Sequence, residues 1–232
     1  MAETTSPTGP LTALRLDERL RDTRLFFTQA IRTFHATGSV VPSSRALADA
    51  LAAFVRERPD PDRPLRIMEA GAGTGAITRG IAAAMRPGDT VDLVEANPAF
   101  AAHVEDLLDT DPELSRIADG ATVHALPVNE MGTDRVYDVI VSGLPFANFT
   151  AETVGEILDH YFTVLRPGGT LSFYGYLYTK EVKAIIARRE DYLRQARTSW
   201  LVQDWIDRYG IRSERVLANL PPAWVHHLRK PA

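Results

Sequence analysis

Glu69, Gly71, Gly73 and Gly75 occupy alternate positions in the stretch 65–80, Leu-Arg-Ile-Met-Glu-Ala-Gly-Ala-Gly-Thr-Gly-Ala-Ile-Thr-Arg-Gly. Glycines spaced in this way let a backbone turn sharply and approach a ligand closely, while a helix starting after them points free N–H groups at it. Gly71, Gly73 and Ala76 satisfy the dinucleotide spacing G-x-G-x-x-G/A, so NAD is admitted on spacing alone. Glu69 and Gly75 argue against it. A carboxylate at the strand end repels a pyrophosphate and favours a cation, and a third glycine adds another point of close approach. Glu95, followed by Ala96, closes Val-Asp-Leu-Val-Glu 24 residues after Gly71. Its two oxygens suit the two hydroxyls of a ribose, a role that either kind of nucleoside ligand would require.

The second set of chemically informative residues is Ser142-Gly143-Leu144-Pro145-Phe146, at the end of the apolar run Tyr-Asp-Val-Ile-Val. A third set is Tyr174, Tyr176 and Tyr178, alternate residues that share one face of a strand and whose rings could hold a cation. Taken together, Glu69, Gly71, Gly73 and Gly75 form E-x-G-x-G-x-G, which resembles motif I of the class I methyltransferases. That resemblance implies S-adenosylmethionine as cofactor, with S-adenosylhomocysteine as product, held by Glu69, Gly71, Ala72, Gly73, Gly75, Glu95 and Ala96. Many such enzymes carry an Asp near the adenine just after the third strand; here Ala-Leu-Pro-Val-Asn-Glu offers Asn129 or Glu130 instead. The strand end at Ser142 resembles the Asn-x-Pro-Tyr/Phe loop of methyltransferases acting on the amino group of adenine. Ser142 stands where that loop has Asn, and a hydroxyl cannot reproduce both the donor and the acceptor of an amide. An alkyl amine asks less of it than a planar base.

The elements that must position these residues alternate strand and helix. Strands are expected near 65–70, 90–95, 121–126, 137–142 and 170–176, and helices near 75–86, 98–109, 151–165 and 179–198. Two closing strands, Ile211–Leu217 and one through Ala-Trp-Val-His-His-Leu-Arg, flank the turn Asn-Leu-Pro-Pro. The expected fold is α/β, a doubly wound Rossmann-like sheet of the class I methyltransferase kind with its last strand antiparallel and an N-terminal helical extension. Residues 1–10 read as a disordered tail, 11–58 as N-terminal helices and 59–232 as the core, with the linker Pro-Asp-Pro-Asp-Arg-Pro between them. Ser43 or Ser44 is expected to cap the helix through Leu47, Leu51 and Phe54 to Arg58, and the loop Thr37–Ser44 could fold over the cofactor.

The chain has 232 residues, 45% hydrophobic, and no cysteine, which excludes disulfides and thiolate chemistry. No two of its six histidines are paired at i, i+4, so no metal site is expected. The net charge of -4 conceals an acidic centre, with seven Arg and Lys against eighteen Asp and Glu in residues 59–179, between two basic ends. An acidic core disfavours nucleic acid, whereas basic flanks suit an anionic membrane surface. The segment Leu11–Phe34 has a helical apolar period interleaved with Arg15, Arg19, Arg21, Arg24 and Arg32. The adjacent Phe26 and Phe27 cannot both face one packed stripe, so an interfacial helix competes with a packed one. No run is long enough to span a bilayer and the N-terminus lacks a leader pattern, so the protein is expected in the cytoplasm, peripherally associated with the inner face of the cell membrane.

A closer resemblance covers about Phe26 to Arg229. Thr37–Ser44 (TGSVVPSS), EAGAGTG, SGLPF, Leu-Arg-Pro-Gly-Gly and Asn-Leu-Pro-Pro-Ala-Trp-Val are similar to the bacterial phospholipid N-methyltransferases. The resemblance implies methylation of an amino phospholipid headgroup, phosphatidylethanolamine towards phosphatidylcholine, with Ser142–Phe146, Tyr176 and Tyr178 around the amine and Ser142 also near the cofactor. Relatives of this architecture are thought to act on ornithine lipids. An RNA adenine dimethylase and a non-catalytic cofactor-binding module are the other readings open to the sequence.

Overall fold

In a computed structural model, residues 43–177 and 189–232 are described, those of 189–195 by backbone alone. The expected tail 1–10, the basic helix with Arg15, Arg19, Arg21, Arg24, Phe26 and Phe27, most of the Thr37–Ser44 loop, Tyr178 and the expected helix start at 179–188 lie outside them.

The described chain runs α1 (Arg45–Leu51), α2 (Ala53–Arg56), β1 (Arg66–Ala70), α3 (Ala76–Ala84), β2 (Thr90–Val94), α4 (Pro98–Thr110), β3 (Ala121–His124), β4 (Tyr137–Ser142), α5 (Ala151–Val164), β5 (Leu165–Tyr176), α6 (Arg189–Tyr209), β6 (Gly210–Val216) and β7 (Ala223–Arg229). Short 3-10 turns at Ser115–Gly120, Val128–Glu130 and Phe146–Asn148 interrupt the connections. The seven strands form one sheet in the order β3-β2-β1-β4-β5-β7-β6. The first five are parallel, and β7 lies antiparallel between β5 and β6. The expected α/β sheet with an antiparallel last strand is therefore present.

Strands β1, β2 and β4 read as apolar runs because helices cover both of their faces; all six residues of β4 are buried. Ile67, Leu93 and Val141 from the sheet join Leu47, Leu51 and Val55 from α1–α2 and Ile81 from α3 in one core. Ser44 caps α1 as expected, its hydroxyl accepting the Leu47 N–H. The helix breaks at Ala52, so one expected helix is two. Helix α1 crosses α3 at Gly80, where a Cβ would come within 2.8 Å of Ala48.

The linker after α2 is anchored by a buried ion pair. Arg58 donates from both terminal guanidinium nitrogens to Asp89, at 2.8 and 2.6 Å, and Asp89 also accepts the N–H groups of Leu65 and Arg86. On the other side of the sheet Phe162 of α5 packs against Trp205 and Tyr209 of α6, with ring centroids 4.8 and 4.7 Å apart. That contact carries α6 eleven residues past its expected end at 198, until Gly210, where a Cβ would meet the Ile206 carbonyl oxygen at 2.4 Å. Among the described residues no helix is long and apolar enough to cross a membrane.

Candidate active site

Ligands of doubly wound sheets sit beyond the carboxyl ends of the strands, and the chemically informative residues converge there. β1 and β4 are neighbours with Ala70 opposite Ser142. The ladder continues one residue past each strand: Gly71 donates its N–H to Val94 O at 2.7 Å, Gly143 to Ala70 O at 2.8 Å, and Glu95 to His124 O at 3.0 Å. The glycine loop and the SGLPF loop, 72 residues apart in sequence, are thus packed back to back. At Gly143 a Cβ would lie 2.8 Å from the Gly71 carbonyl oxygen, and at Gly71 it would lie 2.8 Å from Leu144 Cδ2. Gly71, Gly73 and Gly75 all have positive φ, of 81°, 53° and 75°, the region glycine enters without strain.

Glu69 is fully buried on β1, and among the described residues neither carboxylate oxygen has a hydrogen-bond partner. Burial pushes its pKa up to about 8; the nearby Thr78 hydroxyl partly opposes that shift and the Glu95 carboxylate adds to it. A buried acceptor group of this kind is costly unless something satisfies it, and an ammonium or hydroxyl group of a ligand would. Thr78, whose buried hydroxyl lies beside Glu69, belongs to this site although sequence reasoning passed over it. Its place in the first turn of α3 was the available signal.

Glu95 is nearly fully buried, and its carboxylate clamps the loop: Oε2 accepts the Gly73 N–H at 3.0 Å and Oε1 the Asn97 N–H at 2.8 Å. Two carboxylate oxygens held in this way suit the paired hydroxyls of a ribose. Ala72 is buried and accepts the Gly75 N–H, while Ala96 lies half-buried just past β2. Asn129 sits in the 3-10 turn after β3 with a buried Oδ1 that has no partner among the described residues, the kind of acceptor an exocyclic amino group would fill. The residues present therefore fit a nucleoside bearing a cation.

Ser142 is fully buried, and its hydroxyl lies 3.0 Å from the Tyr161 hydroxyl of α5 and accepts the Leu144 N–H at 3.4 Å. In this arrangement the hydroxyl shapes the loop through Tyr161 and the Leu144 N–H. Leu144 and Phe146 are likewise buried, Phe146 against Phe173 at 5.3 Å, which leaves Gly143 and Pro145 as the partly open residues of the five. Tyr176 is half-buried and meets Tyr174 edge-on at 5.3 Å. On the far side of Phe173, His226 bonds Ser213; burial, together with neighbouring His227, holds its pKa down to about 4. A groove of about 450 Å³ between α1–α2 and β6 is lined by none of these loops, and its Arg212 is paired to Glu57.

No protein-family model matches the chain. It is 28% identical over 153 residues to an ornithine lipid N-methyltransferase of Singulisphaera acidiphila, a match covering 66% of this chain and 77% of that protein. Among solved structures it resembles a putative O-methyltransferase from Klebsiella pneumoniae, with TM-score 0.61 and 14% identity over 89% of this chain and 90% of that one. It also resembles an O-methyltransferase of tomaymycin synthesis from Streptomyces achromogenes solved with S-adenosylmethionine, with TM-score 0.61 and 15% identity over 87% and 86%. The seven-stranded sheet with its antiparallel β7 is the fold shared with these methyltransferase structures.

Proposed function

We propose that the protein is an S-adenosylmethionine-dependent N-methyltransferase acting on the amine of a membrane lipid headgroup. The cofactor half of this reading rests on one observation, the buried Glu69 carboxylate at the end of β1 that has no cationic partner among the described residues, beside a loop of glycines with positive φ. Glu69, Gly71, Gly73, Gly75, Glu95 and Asn129 would hold the cofactor, which supplies a methyl group already activated on a sulfonium. The chain's own task is then to position a neutral amine and keep water away. Buried Leu144 and Phe146 make the floor of the SGLPF loop apolar, and no covalent nucleophile is required.

The acceptor half is supported by the similarity to the ornithine lipid enzyme. Ornithine lipid and phosphatidylethanolamine share a primary amine on an anionic or zwitterionic lipid, the class of acceptor proposed here. Incubation with isotope-labelled S-adenosylmethionine and each lipid in mixed vesicles, followed by mass spectrometry, tests the reading. Label on the amine of either lipid is the expected result. Cofactor binding without transfer to any amino lipid would remove the lipid assignment.

A further inference from the structure

The six residues joining β6 to β7, Leu217–Pro222, carry two of the most exposed large apolar side chains of the described protein, Leu217 at 72% and Leu220 at 68%. β6 runs parallel to β5, so this turn lies at the carboxyl edge of the sheet, the edge that holds the glycine and SGLPF loops. The leucines are not loose ends. Between them Asn219 is buried: its Oδ1 accepts the Ser44 N–H at 2.9 Å and its Nδ2 donates to Pro221 O at 2.7 Å. Pro222 O accepts the Leu177 N–H at 2.8 Å, which fastens the far side of the turn to the end of β5. The turn is thus tied to the fold at Ser44 and Leu177 with its polar Asn219 facing inward, while apolar residues on either side of Asn219 face solvent, the reverse of what solubility requires.

At the base of the turn the exposed Arg215 stacks over the half-buried Trp224 at 4.6 Å and has no ion-pair partner among the described residues. Exposed leucines on the turn, a tryptophan on the adjoining strand and an arginine beside it are the groups met on entering a bilayer: acyl chain, interface, phosphate.

We infer that the Leu217–Pro222 turn is a membrane-insertion element that seats the carboxyl edge of the sheet on an anionic lipid surface. This rests on the lipid reading above and names the surface through which the substrate is reached. A protein partner is disfavoured by size: a stable interface takes about 800 Å² from each side, and two leucines on a six-residue turn present a small part of that. A bilayer needs only that they enter, with Arg215 meeting lipid phosphate.

The chain has no cysteine, so one introduced cysteine carries a probe at a single position. Leu220→Cys and, as a control at the amino edge of the same strand, Ile211→Cys are labelled with an environment-sensitive dye and mixed with phosphatidylcholine/phosphatidylglycerol vesicles, which contain no primary amine to methylate. A blue shift at 220 with none at 211, stronger as phosphatidylglycerol increases, is expected. No shift at 220, or equal shifts at both positions, overturns the inference whether or not lipids are methylated. In a second arm Leu217→Ser/Leu220→Ser should bind these vesicles at least about tenfold more weakly with its melting temperature and S-adenosylmethionine affinity retained; unchanged vesicle binding overturns it too. If the dye shift occurs while no amino lipid is ever methylated, the insertion element stands and the acceptor assignment falls.

Discussion

The Ser142 hydroxyl at the end of β4 is 3.0 Å from the Tyr161 hydroxyl on α5, with both residues fully buried. This bond fixes the start of the SGLPF loop from beneath, since the same serine oxygen accepts the Leu144 N–H. Tyr161→Phe removes one partner and leaves the other. The expected cost is about 1 kcal/mol of stability, read by denaturant unfolding, with S-adenosylmethionine affinity unchanged. Were Ser142 instead oriented towards the cofactor, this variant would disturb binding as strongly as it disturbs stability.

Gly143 is the point at which the two loops touch. A Cβ there would meet the Gly71 carbonyl oxygen at 2.8 Å and Ile77 Cδ1 at 3.0 Å, so Gly143→Ala must push the glycine loop away from β4. Its predicted effect is about 1–3 kcal/mol of lost stability together with weaker cofactor binding by calorimetry. A variant with normal affinity would mean that the loop moves freely, contrary to the packing described.

The legible parts of the sequence were the local ones. Glycines 71, 73 and 75 announce a strand-loop-helix unit by themselves, and Ser44 announces the start of α1. The unreadable parts join residues far apart in the chain. Nothing around Ser142 points to Tyr161, and nothing around Glu95 says that Gly73 will donate to it; both bonds exist only once helix and sheet have packed. Leu165–Gly169, with its Pro-Gly-Gly, lies ahead of the strand expected near 170–176, yet it enters β5, where a Cβ on Gly169 would meet Leu165 Cδ2 at 2.6 Å. The end of α6 was set by ring packing against Phe162, which periodicity does not report.

Acid stability is predicted to depend on Asp89. Burial alone would raise its pKa, but the Arg58 guanidinium and the Leu65 and Arg86 N–H groups outweigh that and hold it below the usual carboxylate range. A carboxylate depressed in the folded state stabilises the protein fully above its unfolded pKa, and the contribution is lost as pH falls through the folded value. Asp89→Ala, which strands a buried guanidinium, should cost about 3–5 kcal/mol at pH 7. The difference from the parent should narrow on titration below about pH 4. A constant difference down to the acid limit would show that the charge of Asp89 is not what matters.

Glu69 carries the opposite sign. Its pKa stands at about 8 against an ordinary 4.5, so without ligand the fold favours the protonated acid, and the stability it contributes declines as pH rises from 4.5 towards 8. A ligand cation favours the carboxylate. Cofactor affinity should therefore rise with pH and level off above about 8, with proton release on binding measurable by calorimetry in buffers of different ionisation enthalpy. Glu69→Gln is expected to weaken binding by about 1.5–3 kcal/mol and to remove the pH slope, while making the ligand-free protein more stable in alkali.

The most direct test of the proposed activity is mass spectrometry of lipids after reaction with deuterated S-adenosylmethionine, with ornithine lipid and phosphatidylethanolamine each presented in phosphatidylglycerol vesicles. Deuterated methyl groups on the lipid amine, lost in Glu69→Gln, are the predicted result. Label on neither lipid, from protein shown by calorimetry to bind the cofactor, would contradict it.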